Sequence, residues 1–182
     1  MNDISGTAGQ RFFSAINHGI YDLGLYHFVT DQLWRCPTRY LLDGYADNLS
    51  SHHLELGVGS GYLLERTLCR DTAKRLALVD LNQRSLGKAA KRLRRYKPAA
   101  VQWNILEPLP EALNGFHSVG MNYVLHCIPG DIADHRRLLE NVHASLAEGG
   151  VFFGATLLWE PAAMTPGARA FMRLLNEVGI FH

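Results

Sequence analysis

The chain has 182 residues, 47% of them hydrophobic and 19% charged, with a formal net charge of +1. That length supports one domain with a substantial core, the composition is ordinary for a globular protein, and the near-neutral charge offers no global field for nucleic acid or an acidic membrane. Cys36, Cys69 and Cys127 are widely spaced with no CxxC pair, which argues against a zinc site or a disulfide framework and for free thiols in a reducing compartment. Met1 to Gln10 lack the basic start and apolar run of a signal peptide. No apolar run approaches the roughly 20 residues that span a bilayer, so no membrane is expected and the expected location is cytoplasmic.

Residues 11 to 48 carry apolar side chains at helical spacing, Phe12, Phe13, Ile16, Ile20, Leu23, Phe28 and Leu33 among them. Pro37 interrupts the pattern, and Thr38 to Ala46 reads as a further short helix. From His52 the pattern becomes strand and helix in alternation. Leu54 to Gly57 reads as a strand, Tyr62 to Cys69 as a helix, Arg75 to Asp80 as a second strand and Gln83 to Tyr96 as a strong helix. Ala100 to Trp103 and Phe116 to Val124 read as the third and fourth strands, and Ile132 to Leu146 as a long helix ended by Gly149-Gly150. Val151 to Leu158 is the expected fifth strand and Met164 to Val178 the last helix. This rhythm implies right-handed crossovers and an α/β, doubly wound, mostly parallel sheet. The whole chain is expected to be one domain, with residues 1–48 as a helical N-terminal lid and 49–182 as the core.

A ligand of such a sheet lies at the carboxyl ends of the strands, where strand order reverses. The first strand runs there into Gly57, Gly59 and Gly61, preceded by Glu55. Glycines serve where a backbone turns sharply or lies against a ligand without a Cβ in the way. Asp80 ends the second strand, 19 residues after Gly61, near the spacing at which an acid reaches ribose hydroxyls. Two acids at adjacent strand ends around a glycine turn make a pocket for a nucleoside-type cofactor. A dinucleotide fingerprint wants GxGxxG, but Tyr62 stands where its third glycine belongs, and Glu55 would repel a pyrophosphate. A cofactor with a cationic end fits better than NAD.

The run from Glu55 to Gly61 resembles the first motif of the class I methyltransferases that use S-adenosylmethionine, and Leu78-Val79-Asp80-Leu81-Asn82 resembles their second. Asn104-Ile105-Leu106, Asn122 to His126 and Ala147 to Val151 are similar to their later motifs. The runs Trp34 to Thr38 and Leu125 to Gly130 resemble a subfamily of small bacterial and fungal enzymes. The resemblance implies a Rossmann-like methyltransferase fold and an S-adenosylmethionine-dependent methyltransferase acting on a small molecule, with S-adenosylhomocysteine as product. It implies that Gly57, Gly59 and Gly61 approach the methionine part and ribose, and that Glu55 acts near the methionine amino group. Asp80 would hold the ribose hydroxyls, Leu81 would pack on the adenine, and Asn104 and Ile105 would meet the adenine edge. Family members usually carry Asp at position 104; Asn keeps an acceptor oxygen but loses the charge. The backbone at Asn122 would contact the methionine end. On the lid, Arg35 is expected to pair with the methionine carboxylate and Tyr21 to reach over the cofactor.

His126 follows the fourth strand on the acceptor side and is the candidate general base, with loop orientation as the alternative role. Cys127 reads as a buried small side chain rather than a nucleophile, and His52 and His53 as surface residues. Lys88, Lys91, Arg92, Arg94, Arg95 and Lys97 form the strongest charge cluster. They read as the solvated face of a helix rather than a nucleic-acid contact, because no aromatic stacking platform accompanies them. The resembled fold continues past the fifth strand's helix into two more strands, whereas the sequence stops at His182. The fifth strand is therefore expected to be an apolar sheet edge, and a homodimer contact is expected there. A fragment, a short natural form and a degenerate relative that binds the cofactor without catalysis are the alternatives, with a nicotinamide oxidoreductase as a third class.

Overall fold

The structure is a computed structural model that describes residues 22–68 and 73–179. Five parallel strands form one sheet in the order β3-β2-β1-β4-β5. They are β1 (His52–Leu56), β2 (Arg75–Asp80), β3 (Ala99–Gln102), β4 (Phe116–Asn122) and β5 (Leu146–Ala155). The chain steps outward from β1 through β2 to β3, then returns to the other side of β1 for β4 and β5. The order therefore reverses between β1 and β4, which is where a crevice opens above an α/β sheet.

The helices α1 (Leu23–Leu33), α2 (Thr38–Asn48), α3 (Tyr62–Thr67), α4 (Gln83–Arg92), α5 (Ile132–Ser145) and α6 (Pro166–Glu177) cover the sheet. Period-2 alternation in the strands feeds two apolar layers. Leu76 and Leu78 join Leu41, Tyr62, Leu64 and Leu93 on one face. Ala77 and Val79 join Leu54, Leu56, Phe116, Val119, Leu138 and Val142 on the other. Burying each large aliphatic side chain contributes about 1.5–3 kcal/mol, so these layers dominate the stability of the sheet.

Helix starts follow side-chain chemistry. Asn82 accepts from the N–H groups of Arg84 and Ser85 at the start of α4. Asp131 and Asp134 form a capping box on α5, and Thr165 caps α6 ahead of Pro166. Elements begin and end within a few residues of the sequence expectation, with three differences. α4 stops at Arg92 and passes into a separate tight turn, Arg94–Tyr96, instead of running on to Tyr96. β5 pairs first at Leu146 with Phe116 and resumes at Val151 opposite Ser118. Residues 147–150 bulge between these pairs, and Gly149 takes φ +71° there. α1 is wound wider than an α-helix, with Trp34 N–H donating to Val29 O at 3.0 Å. The part of the predicted lid before Asp22, Tyr21 included, lies outside the described residues.

β5 is a sheet edge and its Val151 is exposed. Among the described residues no helix is long and apolar enough to cross a membrane.

Candidate functional site: a glycine turn between strand-end acids

The turn after β1 is held by backbone contacts to β2. The N–H of Gly57 donates to Val79 O at 2.8 Å, and the N–H of Gly61 closes the turn on Val58 O at 2.9 Å. Gly57, Gly59 and Gly61 all have positive φ, at 67°, 54° and 73°, a conformation that strains residues with a Cβ. Their surroundings differ. A Cβ on Gly57 would overlap Val124 Cγ2, and one on Gly61 would crowd Ala89 at 3.2 Å. A Cβ on Gly59 would meet nothing within 4 Å among the described residues. Gly57 and Gly61 thus allow close packing, while Gly59 has open space ahead of it among the described residues.

Asp80 lies beside Gly59. Its Oδ2 accepts the Gly59 N–H at 3.1 Å, and its Oδ1 accepts the Asn82 N–H at 2.8 Å. Each oxygen retains a lone pair for a further donor. Burial pushes the carboxyl above its usual pKa, and the N–H groups of Asn82 and Gly59 pull it partly back. Asn104 Oδ1 accepts the Leu106 N–H at 3.1 Å, so one of its lone pairs closes its own turn. Ile105 packs into the second apolar layer, and its carbonyl accepts from Asn141 Nδ2 at 3.1 Å. The carbonyl of Leu81 accepts from Gln102 Nε2 at 3.0 Å.

Glu55 is deeply buried on β1, beside Gly120 of β4. Its Oε1 accepts the Tyr45 hydroxyl at 2.5 Å, and its Oε2 lies 2.9 Å from His53 Nε2. His53 is 1% exposed, which corrects the reading of that residue as superficial; on a strand it shares a face with Glu55 two positions on. Asn122 Nδ2 is buried and has no hydrogen-bond partner among the described residues, although its amide lies near enough to Tyr45 to favour the ionised phenol. Arg35 is exposed just after α1, at φ +52°.

His126 is buried beyond β4. Its Nδ1 accepts the Leu157 N–H at 3.2 Å and lies 3.0 Å from Thr156 Oγ1. With that lone pair engaged the neutral ring carries its proton on Nε2, and burial lowers its pKa to about 4. In this tautomer the ring presents an N–H donor at Nε2, and its Nδ1 contacts orient the segment at Thr156 and Leu157. Burial raises the Cys127 thiol to about 12, which suits a small buried side chain and not a thiolate nucleophile.

Sequence reasoning passed over one set of residues that hold the turn. Asp22, 5% exposed, accepts from Ser60 Oγ at 2.5 Å and from Arg92 at 2.8 Å. Arg92 also donates to Ser60 O at 2.9 Å. Arg92 therefore departs from the solvated face to which the basic run was assigned. The apolar-polar periodicity of α4 could not show this, because the partner lies 70 residues earlier in the chain.

A glycine turn at the switch point, with a carboxylate on each of two neighbouring strands, is the arrangement by which α/β folds hold nucleoside-type ligands. The methyltransferase domain family matches residues 54–152. The demethylluteothin O-methyltransferase of Streptomyces thioluteus is 38% identical over 96% of this chain and 76% of its own length. The physcion biosynthesis cluster O-methyltransferase of Aspergillus chevalieri is 39% identical over 82% of this chain and 68% of its own. An S-adenosylmethionine-dependent methyltransferase from Clostridium acetobutylicum shares the fold at a TM-score of 0.56 and 23% identity, covering 75% of this chain. The chain spans 55% of that solved structure's length. The chain belongs to the class I S-adenosylmethionine-dependent methyltransferase family, and the resemblance read from its motifs is correct.

Proposed function

We propose that the protein transfers a methyl group from S-adenosylmethionine to an oxygen of a small organic molecule. The observation that carries this reading is Asp80, held at the end of β2 with a lone pair left on each oxygen, beside the open face of Gly59. That pair suits a vicinal diol lying against bare backbone. The choice of oxygen and of a small acceptor follows the names of the Streptomyces and Aspergillus relatives.

When bound, S-adenosylmethionine supplies a methyl group already activated on a sulfonium. The residues of this chain then bind and align. Asp80 takes the ribose hydroxyls, Leu81, Asn104 and Ile105 line the adenine side, and the turn from Gly57 to Gly61 receives the ribose and methionine. Glu55, Asn122, Arg35 and Tyr21 serve the methionine end, the last two from the lid. His126 keeps its Nε2 proton and orients the segment at Thr156 and Leu157. Alignment of acceptor and methyl group supplies most of the acceleration, and as the C–O bond forms and the C–S bond breaks the acceptor's hydroxyl proton passes to water. Residues 1–182 act as one domain, a reducing cytoplasmic setting fits the free Cys36 and Cys127, and a homodimer would form through the β5 edge.

Calorimetric titration of the purified chain with S-adenosylmethionine is the test. Micromolar binding is expected, and binding of NAD with none of S-adenosylmethionine would overturn the reading. Mass spectrometry of reactions with hydroxylated acceptors then separates a working enzyme from a non-catalytic binder, which would form complex but no S-adenosylhomocysteine.

A further inference from the structure

A chain of buried polar groups runs beneath the glycine turn, on the face of β1 that packs against α2. Tyr45, from α2, is 1% exposed and donates to Glu55 Oε1. His53 Nε2 meets Glu55 Oε2, and His53 Nδ1 lies 2.8 Å from Ser118 Oγ. Ser118 Oγ in turn accepts the Ser50 N–H at 2.9 Å. Phe153 closes the box, with its ring 5.1 Å from that of Tyr45 and 5.9 Å from that of His53.

The box is shaped for a carboxylate. A Cβ at position 120 would stand 2.5 Å from Glu55 Oε2 and 3.1 Å from His53 Cε1, so Gly120 leaves the space that the acid occupies. Burial first, and then the Glu55 charge, push the Tyr45 hydroxyl well above its usual pKa, so it stays a neutral donor. A buried polar cluster of this kind is no better for stability than apolar side chains of the same volume. His53, Glu55, Ser118 and the Tyr45 hydroxyl, set in an otherwise apolar layer, therefore point to a purpose other than folding.

We propose that Tyr45 and His53 are positioning residues that fix the Glu55 carboxylate as an anion beneath the turn, so that its charge favours the ammonium group of the cofactor's methionine end. The inference rests on the S-adenosylmethionine reading above. The two donors occupy one lone pair on each oxygen and set the carboxylate plane. Neither has to touch the ligand. An acid held this way attracts a cation without needing to reorganise when it arrives.

The test compares two ligands on the whole chain by calorimetry. S-adenosylhomocysteine carries the amino-acid end, whereas 5′-methylthioadenosine carries the nucleoside alone. Tyr45→Phe removes one hydroxyl, and Glu55→Gln removes the charge with the shape kept. Each should weaken S-adenosylhomocysteine about tenfold and leave 5′-methylthioadenosine within about twofold. His53→Phe should reproduce the pattern if it folds, as judged by its melting curve; the first two variants decide the matter without it. Equal losses for both ligands would show a merely structural role and overturn the proposal, as would wild-type affinities for both. Failure of the wild type to bind either ligand would instead refute the cofactor reading itself.

Discussion

Gly57→Ala puts a number on how tightly the turn is built. At φ +67° an alanine pays the left-handed backbone penalty, about 1–2 kcal/mol. Its methyl would also overlap Val124 Cγ2 and stand 3.2 Å from Cγ1, and overpacking of this kind costs about 1–3 kcal/mol. Together these give about 2–5 kcal/mol, a large share of the 5–15 kcal/mol that holds a typical domain folded. For a chain of this size each kcal/mol lowers Tm by about 2–4 °C. The two parts separate by adding Val124→Ala, which deletes both atoms in the way. The double variant should recover the overpacking part and keep the backbone part, a coupling of about 1–3 kcal/mol in urea unfolding followed by circular dichroism. Gly59→Ala, with nothing within 4 Å of its methyl among the described residues, should lose only the backbone part. Additivity of Gly57→Ala and Val124→Ala within about 0.5 kcal/mol would refute the reasoning, because Val124 would then not be what Gly57 makes room for.

Asp80→Asn should weaken S-adenosylmethionine binding about 10- to 100-fold, since hydrogen bonds to a charged acceptor are worth about 1.5–3 kcal/mol each; an unchanged calorimetric affinity would end the ribose assignment. Arg92→Met leaves the buried Asp22 carboxylate with Ser60 alone. It should cost about 2–3 kcal/mol, below the full value for a buried pair because the Arg92 side chain is 22% exposed. Adding Asp22→Asn should restore part of this loss, and a double variant no more stable than the single would deny the pairing. His126 titrates near 6.5 when unfolded and at about 4 when folded. Between those pH values only the unfolded chain takes up the proton, so stability is complete above pH 6.5 and falls by about 3 kcal/mol as pH drops to 4. His126→Gln should remove that component of the pH-stability curve measured by urea unfolding; a curve parallel to the wild type would place the imidazole in water.

The strands were legible because their signals are local. Leu76 to Val79 is a short apolar run flanked by Arg75 and Asp80, and β2 spans the expected Arg75 to Asp80. The glycine turn was equally plain, since three left-handed positions in five residues leave few other choices. The environment of each acid was not legible. A strand sequence says that His53 and Glu55 share a face, but only packing shows that α2 delivers Tyr45 to that face and that Gly120 leaves room for the carboxylate. The reading of His53 as superficial failed for this reason. Its neighbour His52 is half-buried, and nothing in a His-His pair says which ring turns inward until the register of β1 against β4 is fixed. His126 shows the same limit in another way. Its place after β4 suggested a base, while the bonds that engage its Nδ1 come from residues 30 and 31 positions further along.

Segments far apart in the chain meet at the turn. Val79 and Asp80 hold its backbone from β2, Val124 packs on Gly57 from beyond β4, and Arg92 reaches Ser60 from the end of α4. Asp22 reaches the same serine from the start of α1. Helix α1 is therefore joined to the glycine turn, and to the start of α6 through Thr165, whose hydroxyl donates to Leu33 O at 2.9 Å. Apolar contact adds to these polar bonds, because the buried Tyr26 ring of α1 stacks on Tyr62, the first residue of the helix after the turn, at 4.5 Å. On the proposed function, the turn that would receive the cofactor is also the point to which α1 is tied.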